Sequence, residues 1–157
     1  MAAARNEAGK PVARLDDRLQ AFQSPGQVAE PEIATPNRNA ASSLYTSARD
    51  YMRFMRAIVD GPARLRLPSD LYALMGTPAV VVRAGVSRSV GWGLEETTTG
   101  PVWFHGGNNF YVQHVVALNP STHTAVACFT NGVTGPEVFG SALRLAFPGD
   151  HPALATL

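Results

Sequence analysis

A pair of glycines lies inside the longest strand-like run of this chain and restricts what the chain can fold into. The run extends from Trp103 to His114 and carries His105, Gly106 and Gly107, then two asparagines, between aromatic and apolar residues. Glycine weakens a strand and usually marks a bulge or a place where another backbone or a ligand approaches closely. The segment is therefore either a binding edge of a sheet or only a kinked strand, and its residues leave both open.

Composition and charge exclude several classes of protein. The 157 residues carry a formal net charge of +1, with 16% charged residues and no basic block, which argues against nucleic-acid binding. No apolar run approaches the roughly 20 residues that span a bilayer, and the first residues lack a signal-peptide core. We therefore expect a soluble protein without an export signal, cytoplasmic by default. The single cysteine, Cys128, lies in an apolar run and is expected in the core.

The first half of the chain predicts an arm followed by helices. Residues 1–41 contain scattered prolines and glycines without periodicity, which is typical of an irregular arm, and residues 42–157 then form one domain. Ser47 and Asp50 resemble a capping box, so we predict a helix over residues 47–60. A shorter helix is expected from Ser69 to just before Gly76. The expected buried residues are Tyr51, Phe54, Met55, Ile58 and Val59 in the first helix and Leu71, Leu74 and Met75 in the second.

The second half of the chain predicts strands and a final helix. Three runs, 90–96, 102–118 and 124–130, are separated by short turns and indicate an antiparallel meander. Gly135 and Pro136 open a helix, whose apolar face consists of Val138, Phe139, Ala142, Leu143 and Ala146. The predicted fold class is α+β: an antiparallel sheet of at least three strands, with the C-terminal helix on one face and one or two further helices.

Five short segments follow one another in a recognisable order: Ala41–Asp50, Gly91–Leu94, His105–Gly107, Ala117–Pro120 and Thr130–Gly132. Their order and spacing resemble the C-terminal half of the β-lactamase-like serine hydrolases, a family that includes class C β-lactamases, DD-peptidases and related esterases. The resemblance runs from about residue 35 to 147. It implies that residues 42–157 are the C-terminal lobe of an incomplete β-lactamase/transpeptidase-like fold.

The resemblance also implies roles for the glycine-containing segment. His105, Gly106 and Gly107 match the family's third motif, Lys-Thr-Gly or His-Ser/Thr-Gly, on the strand that walls the active site. By that match His105 faces the cleft and polarises the proton-transfer network or holds a substrate carboxylate, and Asn108 offers its backbone N–H to the oxyanion. Gly106, Gly107 and Asn109 would contact the substrate. The alternative for His105 is a plain edge-strand histidine, and Gly106 lacks the hydroxyl usual at its position.

The family's nucleophile motif is absent from this sequence. The motif is a serine followed three residues later by a lysine. Lys10 is the only lysine, so the serine would have to be residue 7, and that residue is Glu7. The Tyr-x-Asn motif also fails, since the second residue after each tyrosine is Ser47, Arg53, Leu74 or Gln113. The resemblance thus implies acyl transfer or hydrolysis of a β-lactam, ester or peptide amide only if an N-terminal half completes the site. It also implies that no cofactor takes part. Members of that family are often periplasmic or secreted.

Other chemistries have less support. The segment Gly85–Ser89 nearly forms a nucleophile elbow but lacks the final glycine. No cluster of Cys, His or carboxylate residues surrounds His105 and His114 at metal-ligand spacing, so no metal site is predicted. His114 is expected to be a strand histidine whose ring nitrogens are satisfied by hydrogen bonds. His123 beside a turn and His151 in the tail are expected to be exposed.

Two further hypotheses remain beside the hydrolase half. One is a non-catalytic assembly module, in which the strand from Thr124 to Thr130 leaves an open sheet edge that pairs with another copy or with a separate N-terminal half. The other is an unrelated α+β enzyme that uses His105 together with an unidentified acid. Neither nucleic acid nor membrane is expected as a partner.

Overall fold

The described part of the chain folds around one antiparallel sheet in which every strand pairs with the next one in sequence. The computed structural model describes residues 44–109, 112–149, 151 and 153. The described sheet has six strands in sequence order: β1 Val80–Arg83, β2 Val86–Arg88, β3 Gly93–Glu95, β4 Val102–Asn109, β5 Val112–Asn119 and β6 Thr124–Thr130. The α+β prediction is confirmed, whereas the predicted arm at 1–41 lies outside the described residues.

Helices cover both faces of the sheet. They are α1 Ala48–Val59, α2 Pro62–Leu65, α3 Ser69–Gly76 and α4 Phe139–Ala146, the last preceded by a 3-10 helix over Gly135–Val138. One face of the sheet packs against α1, and their buried residues form the α1-side core. It contains Met55, Ile58, Val59, Trp92, Leu94, Trp103, Val116 and Leu118. The opposite face packs against α4, and their buried residues form the α4-side core. It contains Val86, Val102, Phe104, Val115, Ala117, Phe139, Leu143, Phe147 and Ala153.

The first predicted helix is confirmed at both ends. The Ser47 hydroxyl accepts a hydrogen bond from the Asp50 backbone N–H at 3.1 Å and donates one to the Asp50 carboxylate at 2.7 Å. The Ser47 hydroxyl, followed by the Arg53 guanidinium, holds the pKa of Asp50 below its ordinary value. Of the expected apolar face, Phe54 is exposed, because α1 turns only a narrow stripe toward the sheet.

Helix α3 forms at the predicted place but buries less than predicted. Leu71 and Leu74 are exposed, so the expectation of a buried leucine face is wrong. The helix is attached instead through the Tyr72 hydroxyl, which donates to the Ile58 carbonyl at 2.7 Å, and through Gly76, where a Cβ would overlap the Trp103 ring. The unpredicted α2 begins at Pro62, directly after α1, because proline suits the first turn of a helix.

Two parts of the predicted sheet differ from the observed one. The run over 102–118 forms two strands, β4 and β5, because one strand of that length would span about 56 Å, far beyond the usual strand in a small domain. Strands β1 and β2 form an unpredicted hairpin that turns at Gly85, whose φ of 72° favours glycine. The strand predicted over 90–96 shortens to β3, whereas β6 has the predicted bounds.

Candidate active site

The His-Gly-Gly segment lies where β4 extends past the end of β3. The ladder between these strands consists of the pairs Glu95–Val102, Leu94–Trp103 and Gly93–Phe104, so it ends one residue before His105. On its other side β4 stays in register with β5 as far as the Asn109–Val112 pair. The segment is therefore a regular strand held by one neighbour, with neither a bulge nor a kink in its pairing with β5.

Strand alternation assigns the segment to the two faces of the sheet. Trp103, His105 and Gly107 share the face of the α1-side core, and Phe104, Gly106 and Asn108 share the opposite face. Trp103 is buried whereas His105, two residues further along, is exposed. Along β4 the apolar cover of this face thus ends between Trp103 and His105, whereas Val116, opposite His105 on β5, stays buried in the α1-side core. The imidazole is therefore accessible.

Open space adjoins Gly107. A Cβ built on this glycine meets no atom within 4 Å. Asn108 is also exposed and pairs with Gln113 on β5, whose side chain donates to the Val133 carbonyl at 2.9 Å. Gly106 is partly buried opposite Val115. The candidate residues His105, Gly106, Gly107, Asn108 and Asn109 are consecutive in β4, and the alternation separates His105 and Gly107 from Gly106 and Asn108.

His114 is the residue directly opposite Gly107 and shares its face. Its ring packs edge-to-face on Phe129 with 4.8 Å between centroids, and Phe129 packs in turn on Tyr51 at 5.3 Å. Its Nδ1 is buried and has no hydrogen-bond partner within the described part of the chain, so the expectation of a satisfied histidine is wrong. Burial lowers the pKa of His114, and a backbone contact with Gln113 opposes part of that shift. The imidazole is therefore neutral near pH 7.

The remaining histidines differ from each other. His123 is exposed in the β5–β6 turn, as expected, with a φ of 54°. The expectation of an exposed His151 is wrong, because its Nδ1 lies 2.8 Å from Oε2 of Glu95 and the side chains are 7% and 3% exposed. The partner is 56 residues away in β3, so no local sequence pattern signals it.

The alternative chemistries find no support in the fold. Within residues 44–109, 112–149, 151 and 153, no group of three or more His, Cys, Asp or Glu side chains could hold a metal ion. Gly85–Ser89 covers the β1–β2 turn and β2 itself, so it is not the strand-to-helix turn of a nucleophile elbow. Burial raises the pKa of the Cys128 thiol, which packs beside the α4-side core as a small apolar residue.

No helix in the described ranges is both long enough and apolar enough to cross a membrane. A search of curated proteins and a search of solved structures each gave no match. The family model described as Beta-lactamase matches residues 2–149, which is nearly the whole sequence. The matched region includes the meander, its helices and the His-Gly-Gly strand. The chain therefore belongs to the β-lactamase family.

Proposed function

We propose that this chain supplies one wall of the active site of a β-lactamase-like serine hydrolase that acts on a β-lactam, ester or peptide amide. The observation that supports this proposal best is the exposed His105 beside the open space at Gly107, on a strand that extends past its neighbour β3. An acyl group can lie along such a strand with its carbonyl against the backbone. A buried or covered segment could not accept it.

Each residue of the segment has a role in this proposal. The His105 imidazole polarises the proton-transfer network or binds a substrate carboxylate, and Gly107 leaves room for the acyl group beside the strand. The Asn108 backbone N–H donates to the oxyanion, an interaction commonly worth about 3 kcal/mol in the transition state. Gly106 and Asn109 line the same stretch of substrate. These contacts require no cofactor.

The covalent step needs groups that this sequence lacks. A serine Oγ attacks the substrate carbonyl and its proton passes to a neighbouring base such as lysine. The carbonyl C–N or C–O bond then breaks, the leaving nitrogen or oxygen takes up that proton, and water hydrolyses the acyl-enzyme that remains. Because Lys10 is the only lysine and Glu7 stands three residues before it, serine and base must come from an N-terminal half. The chain alone is then an incomplete enzyme.

The first experiment tests the chain alone. Purified protein is incubated with a chromogenic β-lactam and with a short p-nitrophenyl ester, and its intact mass is measured after quenching. We expect neither saturable turnover nor an acyl adduct. An adduct on any serine of this chain would overturn the assignment of the nucleophile to another segment.

The second experiment tests the wall itself. This chain replaces the corresponding C-terminal part of an active family hydrolase, and His105→Asn is compared with His123→Asn at the far end of the sheet. Because acid–base groups commonly contribute about 100-fold or more, we expect kcat/KM to fall at least about tenfold for His105→Asn. The exposed His123 already has a left-handed backbone that asparagine tolerates, so its variant should match the parent. Equal kcat/KM in both variants would refute the role of His105.

A second candidate function is assembly through β6. In the described sheet no strand lies beyond β6, so its outer backbone edge is a template for strand addition. We expect an N-terminal half from a family member to bind there and to shift the amide resonances of Thr124–Thr130 more than those of Val80–Arg83. The absence of any complex in sedimentation velocity would count against this candidate.

A further inference from the structure

Glu95 and His151 form a buried contact between two ionisable side chains. Oε2 of Glu95 lies 2.8 Å from Nδ1 of His151, and the two side chains are 3% and 7% exposed. Oε1 of Glu95 accepts a hydrogen bond from the Ala153 backbone N–H at 2.8 Å, and Nε2 of His151 lies 3.0 Å from the Phe147 carbonyl oxygen. Each oxygen and nitrogen of the two side chains therefore has a partner, and the chemistry of these partners decides how many hydrogens the contact holds.

These partners require one more proton than an ionised carboxylate and a neutral imidazole provide. A carbonyl oxygen can only accept, so Nε2 of His151 carries a hydrogen and donates it to Phe147. A neutral imidazole has a single N–H, which would leave a lone pair on Nδ1 facing the lone pairs of Oε2 of Glu95. Such a contact is repulsive and costly away from water, so a further hydrogen lies between the two atoms. It belongs either to an imidazolium beside a carboxylate or to a carboxyl group beside a neutral imidazole, and both arrangements hold the same extra proton.

Neighbouring charges do not replace this proton. The sheet partners of Glu95 are Val86 on β2 and Val102 on β4, and both are apolar. The charged residues of β1, β2, α4 and the 3-10 helix, together with the chain neighbours of the pair, are Arg83, Arg88, Arg144, Glu137, Glu96 and Asp150. A cation among them can favour the ionised carboxylate, but it cannot put a hydrogen between Nδ1 and Oε2. The hydrogen count of the contact is therefore the same whatever these charges do.

We propose that this contact is a proton-dependent switch, in which His151 and Ala153 stay docked on β3 only while the pair holds its extra proton. After undocking, both side chains are in water, where the carboxylate is ionised and the imidazole releases its proton above about pH 6.5. Docking above that pH therefore takes up one proton, so the docking equilibrium constant falls by up to about tenfold per pH unit as the pH rises. Because Ala153 is buried in the α4-side core, undocking exposes part of that core.

The first test locates the proton in the parent protein. NMR of the isotope-labelled full chain follows the ring nitrogens of His151 and the side-chain carboxyl carbon of Glu95 from about pH 6 to 9, on both sides of the point where a free imidazole becomes neutral. At each pH at which the Ala153 amide is protected from hydrogen exchange, we expect either both ring nitrogens or the carboxyl group to be protonated. A protected amide beside a neutral imidazole and an ionised carboxylate would overturn the proposal, and so would an amide that is unprotected over the whole range.

The second test removes the need for the proton. In Glu95→Gln the amide oxygen can accept from the Ala153 N–H while the amide nitrogen donates to a bare Nδ1, so a neutral His151 satisfies every contact. The readout is the protection factor of the Ala153 amide, which compares its exchange rate with that of an unstructured chain at the same pH. Above about pH 6.5 we expect it to fall by up to about tenfold per pH unit in the parent and in the control Glu96→Gln, and to stay constant in Glu95→Gln.

A local readout is needed because the buried His114, on the other face of the sheet, gives the global stability the opposite pH dependence. A protection factor of the parent that does not change with pH would overturn the proposal even if Glu95→Gln failed to fold. The same slope in Glu95→Gln as in the parent would also overturn it, because that variant has no carboxylate to share a proton.

Discussion

At the scale of single residues, Glu95 and His151 fix the C-terminal segment to the sheet. Glu95 is 2% exposed, and its carboxylate accepts from the Ala153 backbone N–H at 2.8 Å while its other oxygen contacts His151 Nδ1. His151 Nε2 lies 3.0 Å from the Phe147 carbonyl. A buried charge is stable only when such partners surround it. The pair therefore links Phe147, His151 and Ala153 to β3.

Replacing the Glu95 carboxylate by an amide should destabilise the fold. In Glu95→Gln the charge of the carboxylate is lost, which weakens its hydrogen bonds with the Ala153 N–H and with His151, so we expect the free energy of unfolding to fall by about 1–3 kcal/mol, measured by urea denaturation. The neighbouring Glu96 is exposed, and Glu96→Gln should change stability by less than about 0.5 kcal/mol. Equal stabilities for the two variants would contradict the structural role of Glu95.

His114 should make stability depend on pH. Its pKa is lowered in the folded state from the ordinary 6.5, so below about pH 6.5 the unfolded chain takes up a proton that the folded chain does not. The folded state should therefore lose stability as the pH falls from 7.5 to 5.5. His114→Phe should lose less over this range and, by removing the unpartnered Nδ1, be about 1 kcal/mol more stable at pH 7.5. Parallel pH profiles for the parent and the variant would refute this assignment.

At the scale of elements, the glycines of neighbouring strands have different surroundings. In β3, a Cβ on Gly93 would overlap the Phe104 ring, so this glycine is needed for packing between the strands. In β4, a Cβ on Gly107 would meet nothing within 4 Å, so packing does not require glycine there. The proposed function gives this glycine a different role, because substrate would approach the backbone there.

Alanine substitution should separate these two roles. Because overpacking commonly costs about 1–3 kcal/mol, Gly93→Ala should lower the free energy of unfolding by that amount, whereas Gly107→Ala should leave it unchanged or slightly higher. In the active chimera, Gly107→Ala should still reduce kcat/KM because the new methyl group occupies the substrate's side of the strand. A Gly107→Ala variant with full activity would argue against substrate contact at this glycine.

At the scale of the whole molecule, one sheet separates two cores that share its strands. Both tryptophans, Trp92 and Trp103, lie in the α1-side core, whereas Leu143 is 1% exposed in the α4-side core. Val115 and Val116 are adjacent in β5 and point into different cores. Because each central strand contributes to both, we expect the two cores to unfold together.

A substitution in one core should therefore be detected by probes in the other. Leu143→Ala removes a buried side chain, which commonly costs about 2–5 kcal/mol, and should lower the urea midpoint of tryptophan fluorescence although both tryptophans lie across the sheet. Leu145→Ala, two residues away and 89% exposed, is the matched control and should leave the midpoint unchanged. A fluorescence transition unaffected by Leu143→Ala would show that the cores unfold independently.

Local sequence patterns are sufficient for the elements whose causes are local. The Ser47 cap and the spacing of Met55, Ile58 and Val59 predict α1, and the apolar run bounded by turns predicts β6. The order of the motifs along the chain is enough to indicate the β-lactamase family, and the absence of Ser-x-x-Lys is a property of the sequence alone. These features depend on neighbouring residues or on residue identity.

Only the tertiary structure decided burial and pairing between distant segments. The tail position of His151 predicts exposure, yet Glu95, far away in sequence, provides the charged partner that makes its burial favourable. The spacing of Leu71 and Leu74 predicts burial, yet both remain exposed because no described element packs over them. The valines of β1 lie at an edge of the described sheet because β1 is its first strand, and His105 is accessible because the apolar cover along its face of β4 ends at Trp103. Exposure depends on which segments meet in space, and a local pattern does not contain that information.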